Sequence, residues 1–185
     1  MWSSGGSPGT DQSSYSIQGQ RYASNGSALG GQFQVNSYTT SQQLFPSVTP
    51  LPSGDFVVVW SSVAIVSDWN IEGQRFASNG APLGVEFEMN SYTTSFQKYP
   101  NVAKASNGDF VVVWQSNGSF GTDSSSTSIE GQLFASDGTP LGDEFQVNTY
   151  TTGQQILPSL AREGDGNFLV TWQSAGRSGA PMRLR

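Results

Sequence analysis

The sequence Gly-Asp-Phe-Val-Val-Val-Trp occurs twice, at residues 54–60 and 108–114, and a looser copy lies at residues 166–172. The chain also opens on Trp2-Ser3-Ser4, which matches residues 60–62. A run of β-branched and aromatic residues behind a turn-forming glycine is typical of a fully buried β-strand. No segment of ten or more residues carries the 3.6-residue apolar period of an amphipathic helix. The sequence therefore predicts an all-β fold.

The buried strand belongs to a tandem repeat. Tryptophans at positions 2, 60, 114 and 172 are spaced 58, 54 and 58 residues apart. Other positions recur with spacings of 54 and 58 residues, namely Gly19, Gly73 and Gly131; Pro46, Pro100 and Pro158; and Asn36, Asn90 and Asn148. Three repeats of about 56 residues fill the chain, and they differ in length only between the tryptophan and the next isoleucine.

Each repeat predicts four antiparallel strands. In the best-defined copy we expect them at residues 101–105, 109–115, 129–135 and 142–150. Asn-Gly and Asp-Gly pairs lie between the predicted strands. Because such pairs readily adopt the positive φ angles of tight hairpin turns, we expect the chain to reverse direction at these points. Apolar and polar residues alternate along the fourth strand, where Phe87 and Met89 lie between polar neighbours. This period of two predicts one face that is buried and one that is exposed to solvent. Four antiparallel strands per repeat describe the blade of a β-propeller.

The phase of the repeat divides one domain into blade pieces at residues 1–45, 46–99, 100–157 and 158–174, followed by an atypical tail at 175–185. The tail is interpreted equally as a displaced third strand or as unrelated sequence. Three blades are too few to close a ring, since propellers have about 4–8. We therefore predict a homodimer of six blades, in which each subunit completes the other's split blade and removes its exposed edges. The alternative is a monomeric three-fold fold such as a β-trefoil.

Composition excludes several classes of function. The net charge of −6 argues against a nucleic acid or an anionic membrane as partner. No apolar run is long enough for membrane insertion, and the N-terminus lacks the pattern of a signal peptide. The chain has no cysteine and no histidine, which removes thiolate metal sites and Ser-His-Asp or Cys-His catalysis. Nucleotide and phosphate motifs are absent as well, so we expect no cofactor other than calcium.

The repeat unit, GxEFxVNxYTT…P…GDFVVVWQS…IxGQRFxxxGxPLG, resembles the tandem repeats of large secreted or surface bacterial proteins that carry haemolysin-type calcium-binding and cadherin-like segments. The resemblance covers residues 2 to about 174. It implies an extracellular or cell-surface location for the parent protein. It implies no particular chemistry.

Candidate ligand-binding residues fall into two groups. Trp69 lies outside the aromatic positions of the repeat, in the connection at residues 61–70 and beside Asp68, where a binding scaffold often carries its contacts. The second group is the repeated Asn-x-Tyr-Thr-Thr segment, with Asn36, Asn90, Asn148, Tyr38, Tyr92 and Tyr150. These side chains suit either a turn that satisfies backbone groups or hydrogen bonds to a sugar. The repeated tryptophans at 60, 114 and 172 are interpreted as packing between blades.

Acidic residues are candidates for metal binding and for catalysis. Asp11 and Asp123 occupy matching Gly-Thr-Asp segments and are the candidate calcium ligands, although one carboxylate per loop equally suits an Asx-type turn. Catalytic candidates are Asp55, Asp109, Glu72, Glu130 and Asp165. Because Gln18 replaces Glu72 and Asn167 replaces Asp55 in other copies, these carboxylates are interpreted as structural. No catalytic residue is assigned.

The function predicted from these observations is non-catalytic recognition or scaffolding in a secreted or surface bacterial protein. Its partner would be a glycan, or else a protein ligand. The alternative is a small carboxylate-dependent hydrolase of glycosides or esters, with its site in the centre of the propeller.

The split-blade prediction is tested by light scattering. We expect a solution mass near twice the 19.7 kDa of one chain. Calcium binding at Asp11 or Asp123 predicts a dimer that a chelator weakens. A monomer at all concentrations contradicts the split blade and favours the three-fold fold.

Overall fold

The computed structural model describes residues 2–4, 15–65, 68–118, 123, 126–164 and 166–175. These residues form antiparallel strands, with single 3₁₀ turns at Pro52–Gly54 and Ser106–Gly108 and no other helix among them. The strands are β1 (Trp2–Ser4), β2 (Ser16–Gly19), β3 (Phe33–Gln34), β4 (Gln43–Pro50), β5 (Phe56–Ile65), β6 (Asp68–Phe76), β7 (Pro82–Glu88), β8 (Gln97–Lys104), β9 (Phe110–Ser116), β10 (Ser128–Phe134), β11 (Phe145–Gln146), β12 (Gln155–Arg162) and β13 (Phe168–Ser174). The all-β prediction is confirmed.

The strands form four separate sheets, each a simple up-and-down meander. The first blade is β1-β2-β3, the second β4-β5-β6-β7, the third β8-β9-β10-β11 and the fourth β12-β13. The first strands of consecutive blades, β4, β8 and β12, contact one another. They are therefore the inner strands, as in successive blades of a propeller. The number of blades in a closed ring and the homodimer stay predictions.

Apolar side chains fill the space between consecutive blades. Val58 and Trp60 pack with Ile17 and Val35 between the first and second blades. Val57 and Val59, on the opposite face of β5, pack with Trp114 between the second and third. A third cluster, around Val111, Val113 and Trp172, joins the third and fourth blades. The repeated tryptophans thus pack between blades, as interpreted from the sequence.

The fourth strand is shorter in the third repeat than predicted. It was expected at residues 142–150, and the ladder covers only Phe145–Gln146. The reason lies in Asn148, whose Oδ1 accepts the backbone N–H of Ile129 (2.7 Å) and whose Nδ2 donates to the carbonyl of Tyr150 (3.0 Å). The side chain takes over the hydrogen bonds that a continuing strand would make, so the chain leaves the sheet there.

Asn36 and Asn90 make the same two bonds in the other repeats. Each accepts from the isoleucine N–H of strand three, at 2.7 and 2.6 Å, and donates to the carbonyl of the following tyrosine, at 2.8 and 3.0 Å. All three asparagines are buried. This asparagine clamp ends each blade and sets the direction of the chain into the next.

We expect Asn90→Ala to lower the free energy of unfolding by about 1–3 kcal/mol, because it leaves the buried N–H of Ile71 without its acceptor. Thr93→Ala, at an exposed position of the same turn, serves as the matched control and should change stability by less than about 0.5 kcal/mol. Urea unfolding of both variants measures the difference. Equal stabilities would mean that the clamp contributes nothing.

Candidate functional site

A cleft opens between the first and second blades, at the end where β5 finishes and β6 begins. Its volume is about 450 Å³, and it is lined by Ser37, Tyr38, Ser62, Glu72 and Glu86. Glu72 lies on β6 directly opposite Trp60 of β5, so both side chains share the face that packs on the first blade. We call this space the Glu72 cleft.

Glu86 ties the second blade to the turn that leaves the first. Its Oε2 accepts the backbone N–H of Ser37 (2.7 Å) and of Tyr38 (3.2 Å) and also the Ser37 hydroxyl. Three donors on one oxygen are the pattern expected of a carboxylate. The other oxygen, Oε1, is buried and makes no hydrogen bond. Glu144 repeats this contact in the next blade, where it accepts the N–H of Ser91.

Glu72 has the most strongly perturbed acidity in the cleft. Burial, followed by the nearby carboxylates of Glu88 and Glu86, raises the pKa of Glu72 to about 8. Its carboxyl is therefore mostly protonated at pH 7 and has a proton to donate. Glu86 lines the same cleft, so a carboxyl that is mostly protonated and a second acidic residue lie in it together.

The equivalent position between the second and third blades is closed. Glu130, the counterpart of Glu72, is 1% exposed and accepts the Ser128 hydroxyl (2.6 Å). Asp123, from the β9–β10 connection, donates its N–H to Gln146 (3.2 Å), which is the cross-strand partner of Glu130. Asp123 therefore lies over this counterpart of the cleft.

The connection between β5 and β6 is shorter than the equivalent connections in the other two repeats, and this difference in length leaves the Glu72 cleft open. Residues of β5 and β6 pair as far as Ile65 and Asp68, so only residues 66 and 67 separate the two strands. In the first blade the equivalent residue is Gln18, which cannot act as an acid. Of the three repeats, the second is the one that has an acidic residue at this position and a cleft open to solvent beside it.

The sequence predicts that Trp69 and Asp68 lie in a loop, whereas the structure places both residues in strand β6. The prediction was wrong because the β5–β6 hairpin extends through the supposed loop. Trp69 donates its backbone N–H to the carbonyl of Ser95 (3.0 Å), and Asp68 Oδ1 accepts the backbone N–H of Ser95 (3.2 Å). Lys98 Nζ lies 4.0 Å from the Trp69 ring, and desolvation lowers the pKa of Lys98. Both candidates thus join the second blade to the third.

The Asn-x-Tyr-Thr-Thr candidates separate into two sets. The asparagines at 36, 90 and 148 are buried in the asparagine clamp, where their amides bond backbone groups, and a ligand role for them stays a prediction. The side chains of Tyr38 and Tyr150 are exposed, and that of Tyr92 is half-buried beside Gly118. Of the three tyrosines, Tyr38 lines the Glu72 cleft.

Of the remaining acidic candidates, two have structural partners, two lie outside the described residues, and Asp109 is half-buried with its backbone carbonyl accepting the N–H of Ala105 (2.6 Å). Asp11 and Asp165 are the two outside the described residues. Asp123 Oδ2 accepts the Asn148 amide (2.9 Å), and Asp55 Oδ1 accepts the N–H of Ser78 (3.0 Å), which caps the β6–β7 turn. Within the described ranges, no group of three or more Asp, Glu, His or Cys side chains could hold a metal ion. In the same ranges no helix is long and apolar enough to cross a membrane.

The sequence did not single out Glu86, Ser37 or Ser62. Glu86 appeared only as a polar residue on the wet face of an alternating strand. The inner strands β4, β8 and β12 contain no Asp or Glu. A carboxylate pair in the centre of the propeller stays a prediction, and Glu72 and Glu86 share a seam between two blades.

Comparison with solved structures identifies two similar folds. An endo-arabinase from Bacteroides thetaiotaomicron matches with 14% identity and a TM-score of 0.50, over 76% of this chain and 56% of the arabinase. A thermostable family-43 glycoside hydrolase matches with 12% identity and a TM-score of 0.47, over 85% of this chain and 61% of the hydrolase. The chain thus spans less than two thirds of either enzyme.

The likeness to the arabinase agrees with the propeller arrangement of the sheets, and at this identity it concerns the fold alone. No protein-family model and no curated protein sequence matches the chain.

The raised pKa of Glu72 predicts a pH-dependent stability. The folded state binds this proton up to about pH 8, whereas the unfolded chain releases it near 4.5, so stability falls as pH rises between these values. We expect Glu72→Gln to remove this dependence and to raise the free energy of unfolding at pH 8 by on the order of 3 kcal/mol.

Unfolding in urea at pH 4.5, 6 and 8 measures the effect. Glu163→Gln, at an exposed position on the fourth blade, is the control and should follow the native chain. Parallel pH curves for the native chain and Glu72→Gln would contradict the buried acid.

Proposed function

We propose that this protein acts on glycans and that the Glu72 cleft cleaves a glycosidic bond, with Glu72 as general acid and Glu86 as the second carboxylate. One observation carries the proposal. A carboxyl that keeps its proton at pH 7 and a carboxylate line the same open cleft. Glycosidases need this division of labour between two acidic residues.

The chemistry assigns a task to each group. Glu72 would protonate the glycosidic oxygen as the bond to the anomeric carbon breaks. Glu86, held by the backbone of Ser37 and Tyr38, would stabilise the positive charge that develops on the anomeric carbon, and a water molecule would attack that carbon and supply the new hydroxyl. The Tyr38 ring and the hydroxyls of Ser37 and Ser62 are the remaining groups that a sugar would meet.

The fold comparison supplies the first substrate to test. The similar structure with the higher TM-score is an endo-arabinase by name, so we place arabinan first among polysaccharides for this chain. The resemblance of the repeats to secreted and surface bacterial proteins supports an extracellular or cell-surface setting for the same activity.

A second candidate function is glycan recognition without turnover. One oxygen of Glu86 accepts three donors and the other is buried, so neither is free to bond to a sugar carbon, which favours this alternative. Tyr38 and Tyr150 also expose aromatic rings at matching positions of the first and third repeats. Binding of the same glycans without release of sugar is the result that this alternative predicts.

Release of reducing sugar from arabinan, and from a panel of other plant and bacterial polysaccharides, tests the proposal. We expect Glu72→Gln and Glu86→Gln each to lower kcat by about 10²–10⁴-fold, and Glu163→Gln to retain native activity. Native activity should fall as pH rises through about 8, because Glu72 then loses its proton. Full activity in both cleft variants would overturn the proposal.

A further inference from the structure

Three inner-strand residues share an unusual backbone conformation. Phe45, Tyr99 and Leu157 occupy the same position in successive repeats, each directly before a proline, and have φ angles of 57°, 57° and 55°. Each lies where the pairing of the first and second strands shifts register. The left-handed region is unfavourable for residues with a side chain, and glycine would occupy it at no steric cost.

At two of the three positions, a neighbouring blade holds the conformation through a hydrogen bond to the backbone. Tyr99 donates its backbone N–H to the Ser61 hydroxyl of the second blade (3.2 Å). Leu157 donates its N–H to Gln115 Oε1 of the third blade (3.4 Å). Because the bulge is fixed through its backbone, the size of the side chain needs a separate explanation.

Core packing does not supply that explanation. Phe45 is 38% exposed and Leu157 is 44% exposed, although both are large and apolar. The rings of Phe45 and Tyr99 meet at 4.5 Å between centroids and 49° between planes, so they form one continuous aromatic surface. We call Phe45, Tyr99 and Leu157 the inner platform. Tyr99 is half-buried beside Phe45. Strained positions that carry large side chains open to solvent are a feature of ligand-binding surfaces.

The inner platform begins next to the Glu72 cleft. Ser62, which lines the cleft, pairs with Gln43 of β4, two residues before Phe45. Ser61 pairs with Leu44 and accepts the Tyr99 N–H. The cleft and the inner platform therefore meet where the beginning of β4 pairs with the end of β5. The platform lies on the side of the inner strand β4.

We propose that the inner platform binds the glycan chain that extends from the Glu72 cleft, by stacking sugar rings on Phe45 and Tyr99. The proposal rests on the proposed function, because it takes the cleft as the place where the glycan is held. The platform contributes affinity for long chains. A substrate that fills only the cleft does not reach it.

Phe45→Gly and Tyr99→Gly test the platform, since glycine removes the ring and relieves the backbone. We expect both variants to keep the native Tm or exceed it, and to weaken binding of arabino-oligosaccharides at least tenfold by calorimetry in a Glu72→Gln background. With active protein, KM for arabinan should rise while kcat/KM for a nitrophenyl arabinoside stays unchanged. Leu141→Ala, which trims an exposed apolar residue in the β10–β11 connection, is the control and should bind as the parent does.

The outcomes separate the platform from the cleft. Lower Tm with unchanged affinity, or no change in either quantity, overturns the platform and leaves the role of Glu72 standing. Weaker binding in Tyr99→Gly, with no turnover by the native chain, supports the platform and overturns hydrolysis. A native chain that neither binds nor cleaves any glycan of the panel overturns both.

Discussion

The second and third blades of this protein have apolar side chains on both faces of their second strands, β5 and β9, and a neighbouring blade covers each of these faces. Val57 to Trp60 are fully buried, with alternate side chains entering the seams on either side. A buried valine contributes about 1.5–3 kcal/mol, more than a typical hydrogen bond of about 1 kcal/mol. Apolar burial therefore holds the seams closed, and polar residues determine their geometry.

The polar residues form hydrogen bonds at the ends of the strands and in the turns that border each seam. Asparagine clamps end the outer strands, strand-four glutamates bind the turn of the preceding blade, and arginines reach the next hairpin, as Arg75 does to the carbonyl of Asp137 (2.9 Å). This arrangement brings Glu72 and Glu86 into one seam, where burial, followed by the nearby carboxylates of Glu88 and Glu86, raises the pKa of Glu72 to about 8. The apolar packing of the seam tolerates this unfavourable proximity of carboxyl groups.

Repetition places similar residues in every seam, and a difference in loop length separates their roles. In the third blade, Asp123 covers the counterpart of the cleft and Glu130 is buried. In the second blade, the hairpin continues through the shortened connection, and Glu72 remains accessible. The inner strands follow the same logic, because a bulge common to all repeats presents Phe45, Tyr99 and Leu157 on adjacent strands.

The sequence by itself determined the all-β class, the four-strand repeat and the role of its tryptophans, because strand periodicity and turn residues are local properties. It also indicated that Asn36, Asn90 and Asn148 serve a turn. Only the tertiary structure decided that Trp69 lies in a strand, that Glu86 faces Glu72, and that Ser61 holds the bulge at Tyr99. Those relations join residues of different blades, and they depend on how two sheets stack and where a loop crosses their seam. Periodicity within one repeat contains no information about either.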